Sequence, residues 1–413
     1  MALLIVQKYG GTSVANPDRI ANVANRVIKG WRQGNRMVVV LSAMAGETDR
    51  LIKLGKELDE HPDPRELDVL MATGEQVTVS LFSIYLKAQG IPATSLLSHQ
   101  ARIYTDRAYG KARIIGIDTA RIREELKKGR IVTVAGFQGV DEVGDITTLG
   151  RGGSDTTAVA IAAALKADLC EIYTDVEGIY TTDPRICPKA RKLNKISYDE
   201  MLEMASLGAK VLEIRSVGFA KRYNVPLCVR TSFNDHPGTL VTKEDKDMED
   251  ILVSGVAYSM NDARVTLSRL PDKPGIASRL FNKIGQANIV VDMIIQNTSL
   301  DGLADITFTV PKGDLKNTLD IVRPLVDELG GGQITSDEHI AKVSIVGVGM
   351  RNNAGVAARM FSSLAAENIN IMMISTSEIK VSCVIEEKYM ELAVRTLHDA
   401  FGLEQARPRG ELT

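Results

Sequence analysis

Cysteine is scarce: Cys170, Cys187, Cys228 and Cys383 are the four among 413 residues, and no two form a CxxC pair. That spacing fits reduced, structural thiols in a cytosolic protein better than a disulfide frame or a thiolate zinc site. The five histidines show no ligand spacing either, so a metal centre built from dedicated side chains is not expected. Neither sign of charge dominates, since 50 Lys and Arg against 52 Asp and Glu leave a formal charge of -2. A balanced chain has no general attraction to nucleic acid or to an anionic membrane. A charged-then-apolar leader is absent, as is an apolar run of membrane-spanning length, so the cytoplasm is the expected location. No GxxxxGK[ST] loop occurs and no GxGxxG follows a strand, so any phosphate is held by some other device.

Two glycine clusters offer that device. The apolar run 3–6 reads as a buried strand and is followed by Lys8-Tyr9-Gly10-Gly11-Thr12-Ser13. An amphipathic helix comes next, with Asn16-Pro17 as its start and Ile20, Val23, Ala24, Val27, Ile28 and Trp31 at helical spacing. Further on, Gly150-Arg151-Gly152-Gly153-Ser154-Asp155 runs into the alanine-rich stretch 158–167, a glycine turn opening a helix with an arginine at its mouth. Helix N-termini present free N–H groups and partial positive charge, glycines admit a ligand to the backbone, and arginine grips a carboxylate or phosphate with two parallel bonds.

Up to residue 242 short apolar runs alternate with helical patterns. Residues 37–41, 131–137, 169–173 and 225–229 read as strands, with helices at 20–31, 67–88 and 155–166. Such alternation predicts an α/β domain around an open, mainly parallel sheet with helices on both faces, where ligands sit at the carboxyl ends of strands. The stretch 243–262 opens with a charged run lacking apolar periodicity and reads as a linker.

Beyond it the sequence repeats at a spacing of roughly eighty residues. Arg264-Val265-Thr266-Leu267 matches Lys342-Val343-Ser344-Ile345, and Gly275-Ile276-Ala277 matches Gly355-Val356-Ala357. Asn288-Ile289-Val290-Val291 matches Asn368-Ile369-Asn370-Ile371. Each copy reads strand, helix, strand, strand, helix, a ferredoxin-like unit, with boundaries expected at 263–335 and 336–413. Small sheets of this kind leave open edges that pair with further copies, so a homo-oligomer is expected.

Taken in order, KYGGTS at Lys8, LSAMAGETD at Leu41, TGE at Thr73, GRGGSD at Gly150, YTDVEGIYTTDPR at Tyr173 and GAKVL at Gly208 resemble the aspartate kinases of the amino-acid kinase fold. The paired repeats resemble tandem ACT domains. The resemblance implies ATP-dependent phosphorylation of the side-chain carboxylate of L-aspartate, with Mg2+ held chiefly by phosphate oxygens and no dedicated protein ligands. It implies catalytic roles for Lys8, Asp155 and Lys210. Arg151 and Glu75 would take the α-carboxylate and ammonium of aspartate, and Ser42, Thr48 and Ser154 would line the same pocket. Three of these have plainer readings: Ser42 and Thr48 as caps of the helix after Ala45, and Glu75 as a solvated first-turn acid. Lys8, Gly10, Gly11, Thr174, Asp175, Tyr180, Arg185 and Lys210 would contact the nucleotide.

In the repeats the resemblance implies an effector site at Asp272, Gly275, Ile276, Asn288, Ile289, Asp292 and Gln296, with Val356, Asn368 and Ile371 in the second copy. Lysine, threonine or both would be the inhibitors. Some relatives begin a separate regulatory chain near the position of Met248. Val290 opposite Asn370, and Asn353-Ala354 where the family often has His-Pro, depart from the pattern and leave the effector open.

Overall fold

The computed structural model describes residues 2–208, 211–298 and 302–405. The chain divides into two compact units, one holding Met1–Tyr180, Lys192–Ser206 and Lys210–Met248, the other Thr181–Arg191, Leu207–Ala209 and Glu249–Thr413.

In chain order the first unit runs β1 (Leu4–Tyr9), α1 (Pro17–Arg32), β2 (Arg36–Leu41), α2 (Glu47–Leu58), α3 (Pro64–Ala88), β3 (Ala93–Leu96) and α4 (Ser98–Ala101). It continues through β4 (Ile103–Thr105), β5 (Ile114–Ile117), α5 (Ala120–Lys127), β6 (Ile131–Ala135), β7 (Gln138–Val140), β8 (Ile146–Thr148), α6 (Gly153–Leu165) and β9 (Leu169–Thr174). Then come β10 (Lys195–Ser197), α7 (Tyr198–Ser206), α8 (Ile214–Tyr223), β11 (Leu227–Thr231) and β12 (Thr239–Thr242).

Eight strands form one sheet in the order β10-β12-β11-β9-β1-β2-β6-β3. From β11 to β3 neighbours are parallel, and β12 is antiparallel to β11. Parallel strands are buried on both faces, which explains the unbroken apolar run at 37–41 and the run at 131–135, interrupted by Thr133, whose hydroxyl pairs with that of Ser83. Helix α1 starts where Asn16 Oδ1 accepts from the Arg19 N–H, with Pro17 at the first turn, and turns Ile20, Val23, Ala24, Val27 and Ile28 into the core. The strand expected at 131–137 stops at Ala135, because Gly136 and the left-handed Phe137 (φ 67°) turn the chain. The strand expected at 225–229 slides to Leu227–Thr231, since Pro226 has no N–H for the ladder.

Helix α3 corrects another expectation: its 25 residues are long and apolar enough to cross a membrane by length and composition alone. They are apolar because Met71, Ala72, Val79, Phe82 and Leu86 are buried within this unit, and the helix also buries the carboxylates of Asp68 and Glu75. A smaller sheet, β5-β4-β7-β8, is tied to α3 by Asp68, which accepts from the N–H groups of Gly110 and Thr148 and from the Thr148 hydroxyl.

Short helix α9 (Lys246–Glu249) and strand β13 (Gly255–Ser259) precede the first repeat. That repeat is β14 (Asp262–Pro271), α10 (Ile276–Gln286), β15 (Ile294–Thr298), β16 (Leu303–Pro311), α11 (Leu315–Glu328) and β17 (Gln333–Asp337). The second is β18 (Ile340–Val346), α12 (Val356–Ala366), β19 (Met373–Thr376), β20 (Lys380–Glu386) and α13 (Met390–Ala400). Their sheets are β15-β16-β14-β17 and β13-β18-β20-β19. The stretch expected as linker therefore supplies the edge strand of the second repeat's sheet, with Val256 and Ala257 buried. Matching glycines, Gly275 and Gly355, cap α10 and α12 in the left-handed region (φ 95° and 90°), and Asn288 and Asn368 repeat the device after each helix (φ 58° and 56°).

Replacing Asp68 with Ala would leave two N–H groups and a hydroxyl without their acceptor, at a cost of roughly 2–4 kcal/mol. Urea unfolding of Asp68→Ala should show that loss, and Asp68→Asn, which keeps an acceptor, a smaller one.

Candidate active site

Strands β1, β2, β6 and β9 end level with one another, Tyr9 beside Leu41 and Tyr173, and Leu41 beside Ala135. The loops leaving those ends carry most of the expected residues of the first unit. On β1, the Lys8 ammonium lies 2.6 Å from Oδ1 of Asp155 in the first turn of α6, and both side chains are about nine-tenths buried (12% and 11% exposed). Gly10 and Gly11 follow, and the second is a glycine for a spatial reason. A Cβ on Gly10 would stand 3.4 Å from the Lys8 nitrogen, and one on Gly11 would stand 2.8 Å from the carbonyl oxygen of Ala43.

The loop after β2 is drawn into the same place, the Ser42 N–H donating to the Tyr9 carbonyl and the Ala43 N–H to Oε1 of Glu75. Gly74 lets α3 approach, since a Cβ there would fall 2.8 Å from that of Ala43. Glu75 is thus no solvated first-turn acid: it sits in the interior of α3, 2% exposed, and its Oε2 is buried with no partner among the described residues. Burial pushes its carboxyl up to about 7, against the pull of the Ala43 N–H. Thr48 is half-buried in the first turn of α2, whose cap is the left-handed Gly46 rather than a Ser42 or Thr48 side chain. Ser154 packs on the loop after β6, where a Cβ on Gly136 would meet its Oγ at 2.7 Å.

Arg151 stands exposed on the turn before α6. A residue that sequence reasoning passed over shapes this turn. The Arg215 guanidinium, from α8, donates to the carbonyls of Leu149 (2.7 Å) and Arg151 (3.1 Å). Gly152, left-handed at φ 66°, leaves room for Glu213, whose Cβ and Cγ would lie 2.5 Å from an added methyl. Arg215 and Glu213 follow the GAKVL motif closely, but nothing in that stretch encodes contacts to a turn more than sixty residues earlier. Lys210 lies outside the described residues.

Thr174 ends β9 and Asp175 follows it, the Thr174 hydroxyl donating to Asp175 Oδ1, and the hydroxyl of half-buried Tyr180 reaches Glu177 at 3.5 Å. Arg185 belongs to the second unit, where it forms an ion pair with Asp183. Behind the catalytic face, Tyr9 stacks on Tyr173 with ring centres 4.5 Å apart. Glu171 accepts there from Gln7, Tyr173 and Arg230, which ties β1, β9 and β11 together.

In the second unit, Gly275 and Ile276 stand at the start of α10, with Asp272 exposed in the loop before it and Asn288, Ile289 and Asp292 in the loop after it. Gln296 is on the edge strand β15, while Val356, Asn368 and Ile371 hold the matching places around α12. No group of three or more His, Cys, Asp or Glu able to hold a metal occurs among the described residues.

A model of the amino acid kinase family matches residues 4–231, and models of the ACT domain match residues 265–329 and 343–401. The aspartokinase of Pseudomonas aeruginosa is 58% identical over 410 residues, 99% of this chain and 100% of that protein. The chain belongs to the aspartate kinase family. Escherichia coli aspartokinase III in complex with aspartate and ADP, 28% identical, superposes with a TM-score of 0.78 over 96% of this chain and 99% of that one. The same enzyme in complex with lysine and aspartate gives 0.74 over the same shares. An aspartate kinase is an ATP-dependent phosphotransferase with a carboxylate acceptor, and two ACT domains make this one allosterically regulated.

With burial raising the Glu75 carboxyl to about 7, kcat/KM for aspartate should fall as pH drops through that value and the buried charge is lost. Glu75→Gln should flatten that limb of the pH profile. It should also raise the thermal midpoint above pH 7, because the fold no longer holds a buried charge. Arg215→Ala should raise the KM for aspartate about tenfold with a smaller change in kcat, since it frees the turn that carries Arg151; steady-state kinetics checks both parameters.

Proposed function

We propose that the chain transfers the γ-phosphoryl group of ATP to the β-carboxylate of L-aspartate, giving 4-phospho-L-aspartate and ADP. The observation that carries this reading is the buried Lys8–Asp155 pair at the strand ends, beside the Gly10-Gly11 turn and the start of α6.

The nucleophile is a carboxylate, ionised at neutral pH with an ordinary pKa of about 3.9, so no general base is required. What must be overcome is repulsion between that anion and a triphosphate, and cations placed where charge develops do this. A carboxylate oxygen attacks the γ-phosphorus, the bond to the bridging oxygen breaks, and ADP leaves with the electron pair. Lys8, oriented by Asp155, neutralises the transferring group, with N–H groups of Gly10 and Gly11 adding to it. Lys210 adds a second cation. Arg151 binds the α-carboxylate and Glu75 the ammonium of aspartate, and the unpartnered Oε2 of Glu75 supports that role. Ser42, Thr48 and Ser154 line the pocket, and Thr174, Asp175 and Tyr180 serve the nucleotide. Mg2+ would supply further charge neutralisation at the phosphates.

The ACT repeats bind lysine, threonine or both, and feedback of this kind fits an enzyme at the start of their synthesis and that of methionine. A cytoplasmic homo-oligomer assembled through ACT sheet edges completes the proposal. Whether a second product starts near Met248 bears on assembly, not on the chemistry.

Assays with ATP and aspartate, glutamate or N-acetylglutamate decide the acceptor, and turnover with aspartate alone is expected. Lys8→Ala should lower kcat by ~10²-fold or more with little change in aspartate affinity, because its contact strengthens in the transition state. Near-normal turnover in that variant would remove Lys8 from the mechanism.

A further inference from the structure

The two repeats share a backbone plan but differ in how their effector loops are charged. In the first repeat the loop after α10 ends in Asp292, and at the matching place in the second repeat stands Met372. The ammonium of Lys342, on β18 of the second repeat, forms an ion pair with Asp292 and lies 3.4 Å from Asp262. Lys342 is buried, 6% exposed, while Asp262 and Asp292 are 16% and 48% exposed. The matching residue of the first repeat, Arg264, makes no reciprocal pair with the second loop and contacts Asp337 on β17 instead. Around the other loop the second repeat presents Met372 and Met373, which pack with Met293, Ile295, Ile340 and Val384.

Lys342 therefore already supplies a cation to the carboxylate best placed to read an effector side chain. Its aliphatic stem and ammonium are enclosed, so it cannot swing into water without leaving a buried gap and two unneutralised acids. A ligand bringing a second ammonium to Asp292 would meet Lys342 at close range, where screening is weak. A ligand with a hydroxyl or amide meets no such repulsion and can share the outer carboxylate oxygen.

We propose that Lys342 sets the specificity of the first-repeat site, reserving it for an amino acid with an uncharged polar side chain and excluding a cationic one. This rests on the reading of the repeats as effector sites. Lys342 touches none of the residues assigned to catalysis, so its substitution should leave uninhibited turnover unchanged.

The test is calorimetric titration of the full-length enzyme with L-threonine and L-lysine, paired with inhibition curves, for wild type, Lys342→Met, Lys342→Gln, Lys342→Arg and Asp292→Asn. Removing the charge in Lys342→Met or Lys342→Gln should tighten L-lysine binding tenfold or more and change L-threonine binding less than threefold. Lys342→Arg, which keeps the charge, should behave as wild type, and the Met and Gln forms together guard against one failing to fold. Unaltered L-lysine affinity in folded, uncharged variants overturns the inference while leaving effector sensing intact. So does wild-type L-lysine binding that Asp292→Asn abolishes. Absence of binding by either amino acid to any variant instead removes the effector reading itself, and this inference with it.

Discussion

The ion pair between Lys8 and Asp155 is the contact on which the catalytic unit depends. Neither charge could be buried alone, because an isolated ion in a protein interior costs several kcal/mol. Each therefore requires the other, and the requirement reaches back through the fold. Lys8 is fixed by a strand in the middle of the sheet, between β2 and β9, and Asp155 by a helix whose buried alanine-rich body can lie flat on that sheet. The loop after β1 has Gly11 where the Ala43 carbonyl would come within 3 Å of a side chain, and the turn before α6 has Gly152 where the Glu213 side chain would. Buried charge and fold are in this respect one arrangement.

Buried polar groups elsewhere serve the same geometry from behind. Glu171 is surrounded by Gln7, Tyr173 and Arg230 on three adjacent strands, and such a network is favourable only when each member has its partner. The strand ends that carry Lys8 and Thr174 are thus held from the face opposite Lys8. Glu75 shows the opposite case, a buried carboxylate left half unsatisfied. Such a group is costly to a fold unless a ligand or water completes it.

Much of this was legible in the residue order. Lys8, Gly10, Gly11, Ser154 and Asp155 stood out because glycine turns between a strand and a helix have few structural roles besides ligand approach, and the structure gathers them. The periodicity of Ile20, Val23, Val27 and Ile28 gave α1 because an amphipathic helix writes its burial into its spacing. Arg215 was not legible: its bonds go to carbonyls more than sixty residues away in sequence, and no local pattern encodes such a contact. Gly136 was missed for the same reason, its need for smallness arising from Ser154. Strand β13 was hidden by its surroundings, a short apolar run beside a dense charge run. The internal repeat exposed the two ferredoxin-like units, since duplicated loops keep the same left-handed glycine and asparagine, but repetition could not reveal that a strand had been contributed from outside the repeat.

That borrowed strand makes the duplication inseparable. Because β13 is synthesised before the whole first repeat yet hydrogen-bonds to β18 after it, the ribosome releases an unpaired edge that must wait some eighty residues for its neighbour. The second repeat therefore lacks an edge strand when cut at the boundary the duplication suggests, and a graft of the sensory half into another enzyme has to begin upstream of Gly255 to carry both sheets complete.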